Sequence, residues 1–254
     1  MTVVRQDQAT LDPARRRAFL AALLALKRQR PAGAELSVYD GFVRTHDRYF
    51  RGVAGAVATH AHGAWSFLPW HRRFLLDFED ALRAVDPQVS VPWWDWRRGD
   101  AGLFADDFLG PADDRDPHDS PLFAAATWPI AVPGQLGSAT LRRRLRPAAL
   151  PRRVADDLAE FAEFTEALEE GPHNAVHVAL GGHMASGASP NDPVFWLHHC
   201  FLDRLWSRWQ DRYGADAYPA RGSGRNRGRY DAIGPWPITP DEVLDHRARY
   251  TYPG

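Results

Sequence analysis

Six of the eleven histidines in this 254-residue chain are spaced so that they could gather metal. His173 and His177 stand at i and i+4, so on a helix both imidazoles leave one face and can hold one ion. Such a pair also arises by chance, and it gains weight only with a third nitrogen. His199, 22 positions on in "NDPVFWLHHCFLDRLW", could supply it. His46, His62 and His71 form a second set, and two triplets describe a dinuclear site.

The type of metal follows from what is absent. Dinuclear zinc, manganese and iron sites recruit carboxylates, as in the helix-borne Glu-x-x-His motif of di-iron bundles. No Asp or Glu stands at comparable spacing on the inward faces here. A set of six imidazoles without thiolate suits copper, which also leads the affinity order for nitrogen ligands. Two neighbouring cuprous ions can pass two electrons to O2 together.

Helices must carry these rings. Asp12 as N-cap and Pro13 at the first helical position start an amphipathic helix through Leu20, Leu23, Leu24 and Lys27. Ser37 caps a second, in which Phe42, His46 and Tyr49 share a face. After the glycine-rich "RGVAGAVATHAHGAWS" comes "FLPWHRRFLLDFEDALRAVDP", with His71, Phe74, Leu75, Phe78 and Leu82 on its inner stripe. From Asp86 to Pro151, Pro, Gly and Asp clusters predict a long irregular excursion. Helix returns at "RRVADDLAEFAEFTEALEEG", is expected to break at Gly171 and Pro172, and restarts as "HNAVHVAL". A last long helix, capped by Asn191 or Asp192 with Pro193 in its first turn, runs to about Arg212. Successive helix residues point about 100° apart, so His198 and His199 cannot both face one metal. Apolar neighbours flank each equally, and spacing favours neither. The fold class is mainly α: one domain over 1–254, with four helical segments bringing the histidines together, long irregular loops and little β.

The near-neutral balance, formal net charge −1 at pH 7, argues against nucleic acid or an anionic membrane as main partner. One cysteine, Cys200, excludes an internal disulfide. "ARRRAFLAALLALKRQR" superficially resembles a twin-arginine export signal, but its apolar stretch is short, is interrupted by Lys27 and Arg28, and has no cleavage site after it. With no export signal of its own in view, the chain is expected to be cytoplasmic or carried out by a partner.

"FVRTH", "HGAWSFLPWHRRFLLDFE", "VPWWDW", "PHNAVH" with "GGHMASG", and "SPNDPVFWLHHCFLDRLW" together resemble the bacterial tyrosinases, especially the short actinobacterial ones that mature with a small partner protein. The resemblance implies a central four-helix bundle around a type 3 dicopper centre, with His46, His62 and His71 holding one copper and His173, His177 and His199 the other. It selects His199 over His198, which becomes a core or outer residue, and leaves His60 as the rival ligand nearby. Asp203, at i+4 from His199, is a candidate to orient that imidazole. The resemblance further makes Glu169 and Asn174 the pair that holds a water accepting the phenol proton. It places Phe195 near the substrate ring, Gly187 where a small residue keeps the entrance open, and Val178 and His183 among the substrate contacts. His183 stands where an amide is usual.

The activity so implied is oxidation of monophenols and o-diphenols to o-quinones with O2 as co-substrate, with a small copper-delivery or export protein as possible partner. Alternatives are an oxidase confined to catechols or o-aminophenols, a haemocyanin-like O2 carrier, and a zinc hydrolase on the same histidines.

Overall fold

The computed structural model describes residues 2–51, 60–116, 118–154 and 156–253. Helix α1 (Pro13–Arg28) begins as its sequence requires, with Asp12 accepting from the Arg15 N–H. In α2 (Val38–Arg51) the Ser37 hydroxyl oxygen accepts from the Asp40 N–H at 3.0 Å. Helix α3 (Phe67–Val85) and helix α6 (Val194–Tyr213) pack along each other through aromatic rings, Phe78 lying flat on Trp196 at 3.6 Å between centroids. Tyr39 of α2 joins them, donating to the Pro190 carbonyl at 2.7 Å while its oxygen accepts from Trp196 Nε1 at 3.0 Å. One contiguous buried cluster extends from Phe19 of α1 to Leu244 in the tail.

Two expectations about the fourth helical segment fail. Helix α4 starts only at Phe161 and runs to Leu168, so the described residues from 152 to 160 are not helical. Side chains of α6 have taken up the carbonyls there: Trp209 Nε1 donates to Leu158 O at 2.7 Å and Tyr213 to Asp157 O at 3.1 Å. Nor does Gly171–Pro172 break the helix. Residues Glu169–His173 form a π turn that passes directly into α5 (Asn174–Leu180). The wider turn absorbs a proline that has no N–H to give, and π turns concentrate at functional sites.

The irregular excursion is anchored by a buried cation. Arg143 is fully buried, pairs with both oxygens of Asp192 at 2.8 and 2.6 Å, and donates to the Leu109 and Pro111 carbonyls at 2.9 Å each. Asp192 also accepts from the Val194 N–H at the start of α6. Two short strands, β1 (Val3–Val4) and β2 (Tyr250–Thr251), pair in parallel. Beneath them Arg5, Glu79, Arg72 and Asp203 form a buried charge network. Chain termini, α3 and α6 are therefore locked together directly behind the histidine-bearing turns.

Candidate metal centre

All six expected imidazoles lie in one place. His46 comes from α2, His71 from α3, His173 from the π turn, His177 from α5 and His199 from α6, while His62 sits in the loop before α3. His46, His62 and His71 form one group whose ligand atoms lie within 4.8 Å of one another; His173, His177, His198 and His199 form the other. The groups share a wall, His71 and His199 stacking at 4.1 Å with an interplanar angle of 10°.

Hydrogen bonds fix which nitrogen faces inward. Nδ1 of His46 lies 2.7 Å from Gly187 O, that of His71 2.9 Å from Phe67 O, that of His173 3.2 Å from Glu169 O and that of His177 2.6 Å from Met184 O. A carbonyl can only accept, so each of these Nδ1 atoms carries the hydrogen and each Nε2 keeps a lone pair. His62 repeats the pattern with a carboxylate, its Nδ1 3.2 Å from Glu169 Oε1. Nε2 of His46 then faces Nε2 of His62 at 3.2 Å, and Nε2 of His177 faces that of His199 at 3.4 Å. Nε2 of His71 and of His173 are buried with no hydrogen-bond partner among the described residues. Facing lone pairs and orphaned ring nitrogens in a buried space are costly alone and favourable around a cation. The donors fit two copper ions.

Electrostatics agree. Burial pushes His46, His71, His173 and His199 well below the ordinary imidazole value. It takes His177 to about 4, against the opposing pull of the Met184 carbonyl. Protons therefore compete little with metal for these nitrogens at neutral pH.

Proximity alone does not separate His198 from His199, because both are buried and both belong to the second group. Orientation does. His199 meets His177 nitrogen to nitrogen and stacks on His71, whereas His198 lies parallel to His173 at 5.5 Å with Trp96 at 6.5 Å. His60 belongs to neither group. The Gly234 N–H donates to its Nδ1 at 2.7 Å, and Arg227 lies 3.1 Å from its Nε2.

Three sequence expectations need correction. Asp203 does not orient His199, whose Nδ1 has no partner among the described residues. Its carboxylate is taken by Arg72 at 2.6 Å, Arg5 at 3.2 Å and the Tyr252 hydroxyl at 2.6 Å, so charge pairing outcompetes the neighbouring turn. His183 is not at the substrate side. It is fully buried, accepts from the Arg142 N–H at 3.0 Å, and faces the Asp192 and Lys27 charges instead. Gly187 does not widen an entrance. It is buried, and a Cβ there would lie 2.7 Å from Asp47 Oδ1 and 2.8 Å from the Phe50 ring, so close approach of α2 demands glycine.

Phe195 is fully buried between the halves, 4.2 Å from the His199 ring and 4.8 Å from His46. Asn174 and Val178, four apart on α5, are both exposed. Glu169, 7% exposed, accepts from the Gly63 N–H at 2.7 Å as well as facing His62. Cys200 points away, its thiol 3.4 Å from Val91 O, and burial raises it to about 12. Sequence reasoning missed Phe67, whose ring touches His62, His71, His173 and His199. Its place one turn before His71, on the same helix face, was the available signal.

Known proteins resemble this chain over nearly all of its length. The sequence model described as the common central domain of tyrosinase matches residues 36–157 and 151–212. A tyrosinase of Streptomyces glaucescens is 42% identical over 277 aligned positions, covering 98% of each chain. The grixazone synthase of Streptomyces griseus is 30% identical, covering 99% of each. Among solved structures, a polyphenol oxidase from Thermothelomyces thermophila superposes with a TM-score of 0.74 at 22% identity, covering 99% of this chain and 88% of that one. A functional unit of octopus haemocyanin gives 0.72 at 22% identity, covering 100% and 68%. With two groups of convergent imidazoles inside a mainly helical bundle, the chain belongs to the bacterial tyrosinases of the type 3 dicopper family.

Proposed function

We propose that this protein oxidises monophenols and o-diphenols to o-quinones, with His46, His62 and His71 holding one copper and His173, His177 and His199 the other. The observation that carries this reading is the inward convergence of Nε2 atoms whose Nδ1 partners are already fixed on carbonyls or a carboxylate. Bound there, the copper pair supplies the two-electron chemistry with O2.

The protein's own part is orientation and proton handling. Gly187, Phe67, Glu169 and Met184 carbonyls hold four rings in one tautomer, so no ring reorganises when metal or substrate arrives. Phe195 and Phe67 brace the rings and keep water from their backs. Exposed Phe50, Asn174 and Val178 offer an apolar surface with one amide, suited to a phenol ring with a polar tail. Glu169 with Asn174 holds the water that takes the phenol proton, an assignment supported by the carboxylate's place beside His62. A small copper-delivering protein is the partner proposed from the family resemblance.

Copper content and oxygen uptake on the purified protein test this together. About two coppers per chain are expected, with uptake on both tyrosine and a catechol. Consumption of the catechol alone, even after a reducing primer, removes the monophenol half of the proposal. Zinc retained in place of copper after copper reconstitution removes all of it.

A further inference from the structure

His62 is the one ring of the six outside a helix, and helix geometry cannot place it. Its loop, residues 60–66, is gripped instead by a segment more than 150 positions later in the sequence. The Trp65 N–H donates to Asn226 Oδ1 at 3.1 Å. The Gly234 N–H donates to His60 Nδ1 at 2.7 Å, and Arg227 Nε stands 3.1 Å from the other nitrogen of that ring. The Arg225 guanidinium covers Gly63, 3.2 Å from where a Cβ would be, at a backbone φ of +62° that favours glycine. His62 is thus bracketed by tail contacts at residues 60, 63 and 65. A bond from Ser66 Oγ to His60 O at 2.7 Å draws the two ends of the loop together.

The gripping segment has structure of its own. Ser223 and Asn226 exchange backbone bonds at 3.0 and 2.9 Å, closing a tight turn with Asn226 at its end. Gly222 and Gly228 approach so closely that a Cβ on Gly222 would lie 2.4 Å from Asn226 O. Asp231 accepts from the Gly228 N–H at 2.7 Å, and the Tyr218 hydroxyl donates to Arg227 O at 2.9 Å. The segment is therefore built to hold a fixed shape against the loop.

We infer that residues 222–234 form a clamp that sets the occupancy of the first copper site, with Asn226, His60 and Arg225 as positioning residues for His62. The inference rests on the copper assignment above. It adds that the two coppers are held by separable supports, one of which is the tail. On the opposite side of the loop Glu169 accepts from the Gly63 N–H and faces His62. Without Asn226 the Trp65 N–H loses that acceptor and the loop its register at Trp65, while His60 and Gly63 keep their own tail contacts.

The test is stepwise copper titration of the apo full-length chain against a competing chelator. It is read by metal stoichiometry and by the cupric paramagnetic signal, which a spin-coupled pair silences and a lone cupric ion shows. For Asn226→Ala, affinity for one of the two coppers should fall about 10- to 100-fold, the range for lost support around a ligand. The lone-ion signal should appear at intermediate copper, and the other site should keep its affinity. Asn226→Asp, which keeps an acceptor oxygen for the Trp65 N–H, should restore much of the pair. Tyr230→Ala, in the same segment and 65% exposed, should bind two coppers as the parent does. If Asn226→Ala does not fold, as judged by melting of the apo protein, Arg225→Ala at an exposed position asks the same question and should shift the same single site. Unchanged affinity at both sites overturns the clamp, and so does equal weakening of both in a variant with an unaltered apo melt. A parent chain that takes up no copper pair overturns the copper assignment instead, and the two failures are distinguishable.

Discussion

The two halves of the centre are supported in different ways. The second half, His173, His177 and His199, stands entirely on helical backbone, with its rings one turn apart or on the facing helix. The first half takes His46 and His71 from helices but His62 from a loop whose partners come from the chain's far end. A helix turn places side chains by local geometry alone, whereas a loop ligand needs tertiary contacts to be placed at all. One half is local in sequence and the other is assembled only once the chain has folded.

Removing one ligand from each half is the strongest test of that contrast. His199→Gln and His62→Gln should each leave about one copper per chain and take phenol oxidation to background, because neither amide replaces a neutral imidazole nitrogen at the same reach. The halves should then differ in the apo proteins. His62→Gln changes a loop side chain that is 14% exposed and should lower the melting temperature only slightly. His199→Gln opens a gap against His71 and Phe195 and should lower it. Calorimetry of both apo variants gives the comparison, and equal losses would contradict it.

A large effect of another kind is expected from the charge network behind both halves. Asp203 is buried, and although burial alone would raise it, the Arg72 and Arg5 guanidinium groups hold it at about 2. A carboxyl depressed on folding contributes stability that is complete above its unfolded value and is lost as pH falls through the folded one. The parent should therefore weaken as pH drops from about 4 toward about 2, and Asp203→Asn should flatten that part of the profile. At neutral pH the same substitution leaves Arg72 buried without its carboxylate and should cost about 3–5 kcal/mol, read as a lower denaturant midpoint. Copper stoichiometry should hold at two in the folded fraction, since Asp203 touches none of the six rings.

What the sequence shows of this site follows the same division. The helices carrying His46 and His199 are legible from capping residues and apolar periodicity, and that of His71 from periodicity, because these signals lie within a few residues of the ring concerned. The π turn is not legible, since Gly-Pro reads as a break until the surrounding helices hold it continuous. Asp203 misleads for a related reason: i+4 spacing gives proximity to His199, but two arginines remote in sequence capture the carboxylate. His183 likewise sits close in sequence to Met184, whose carbonyl orients His177, yet its own ring turns to Arg142. The support of His62 is the least legible of all, because Asn226 is 161 positions from the N–H it accepts.

Gly187 gives a moderate effect that sharpens the first half further. Its carbonyl orients His46, and its bare Cα lets α2 come within contact of Asp47 and Phe50. Gly187→Ala should cost about 1–3 kcal/mol as the helix is pushed away. It should also weaken the His46 side specifically, lowering affinity for the first copper while sparing the second. Equal weakening of both would mean that the displacement travels through Phe195, which touches both His46 and His199.

The smallest expected effect bears on the second half, where four imidazoles compete for three places. His198 is fully buried and lies in the same group as His173, His177 and His199, so it too could offer a nitrogen to metal. Its ring lies parallel to that of His173 at 5.5 Å, where it braces a ligand. His198→Gln should therefore retain two coppers and lower affinity for the second by less than about tenfold, as expected of support around a ligand. His199→Gln loses a copper outright. If the two variants exchange these outcomes, His198 is the ligand. The helical half would then be assembled from the opposite side of α6, and the stacked contact between His71 and His199 would be the brace.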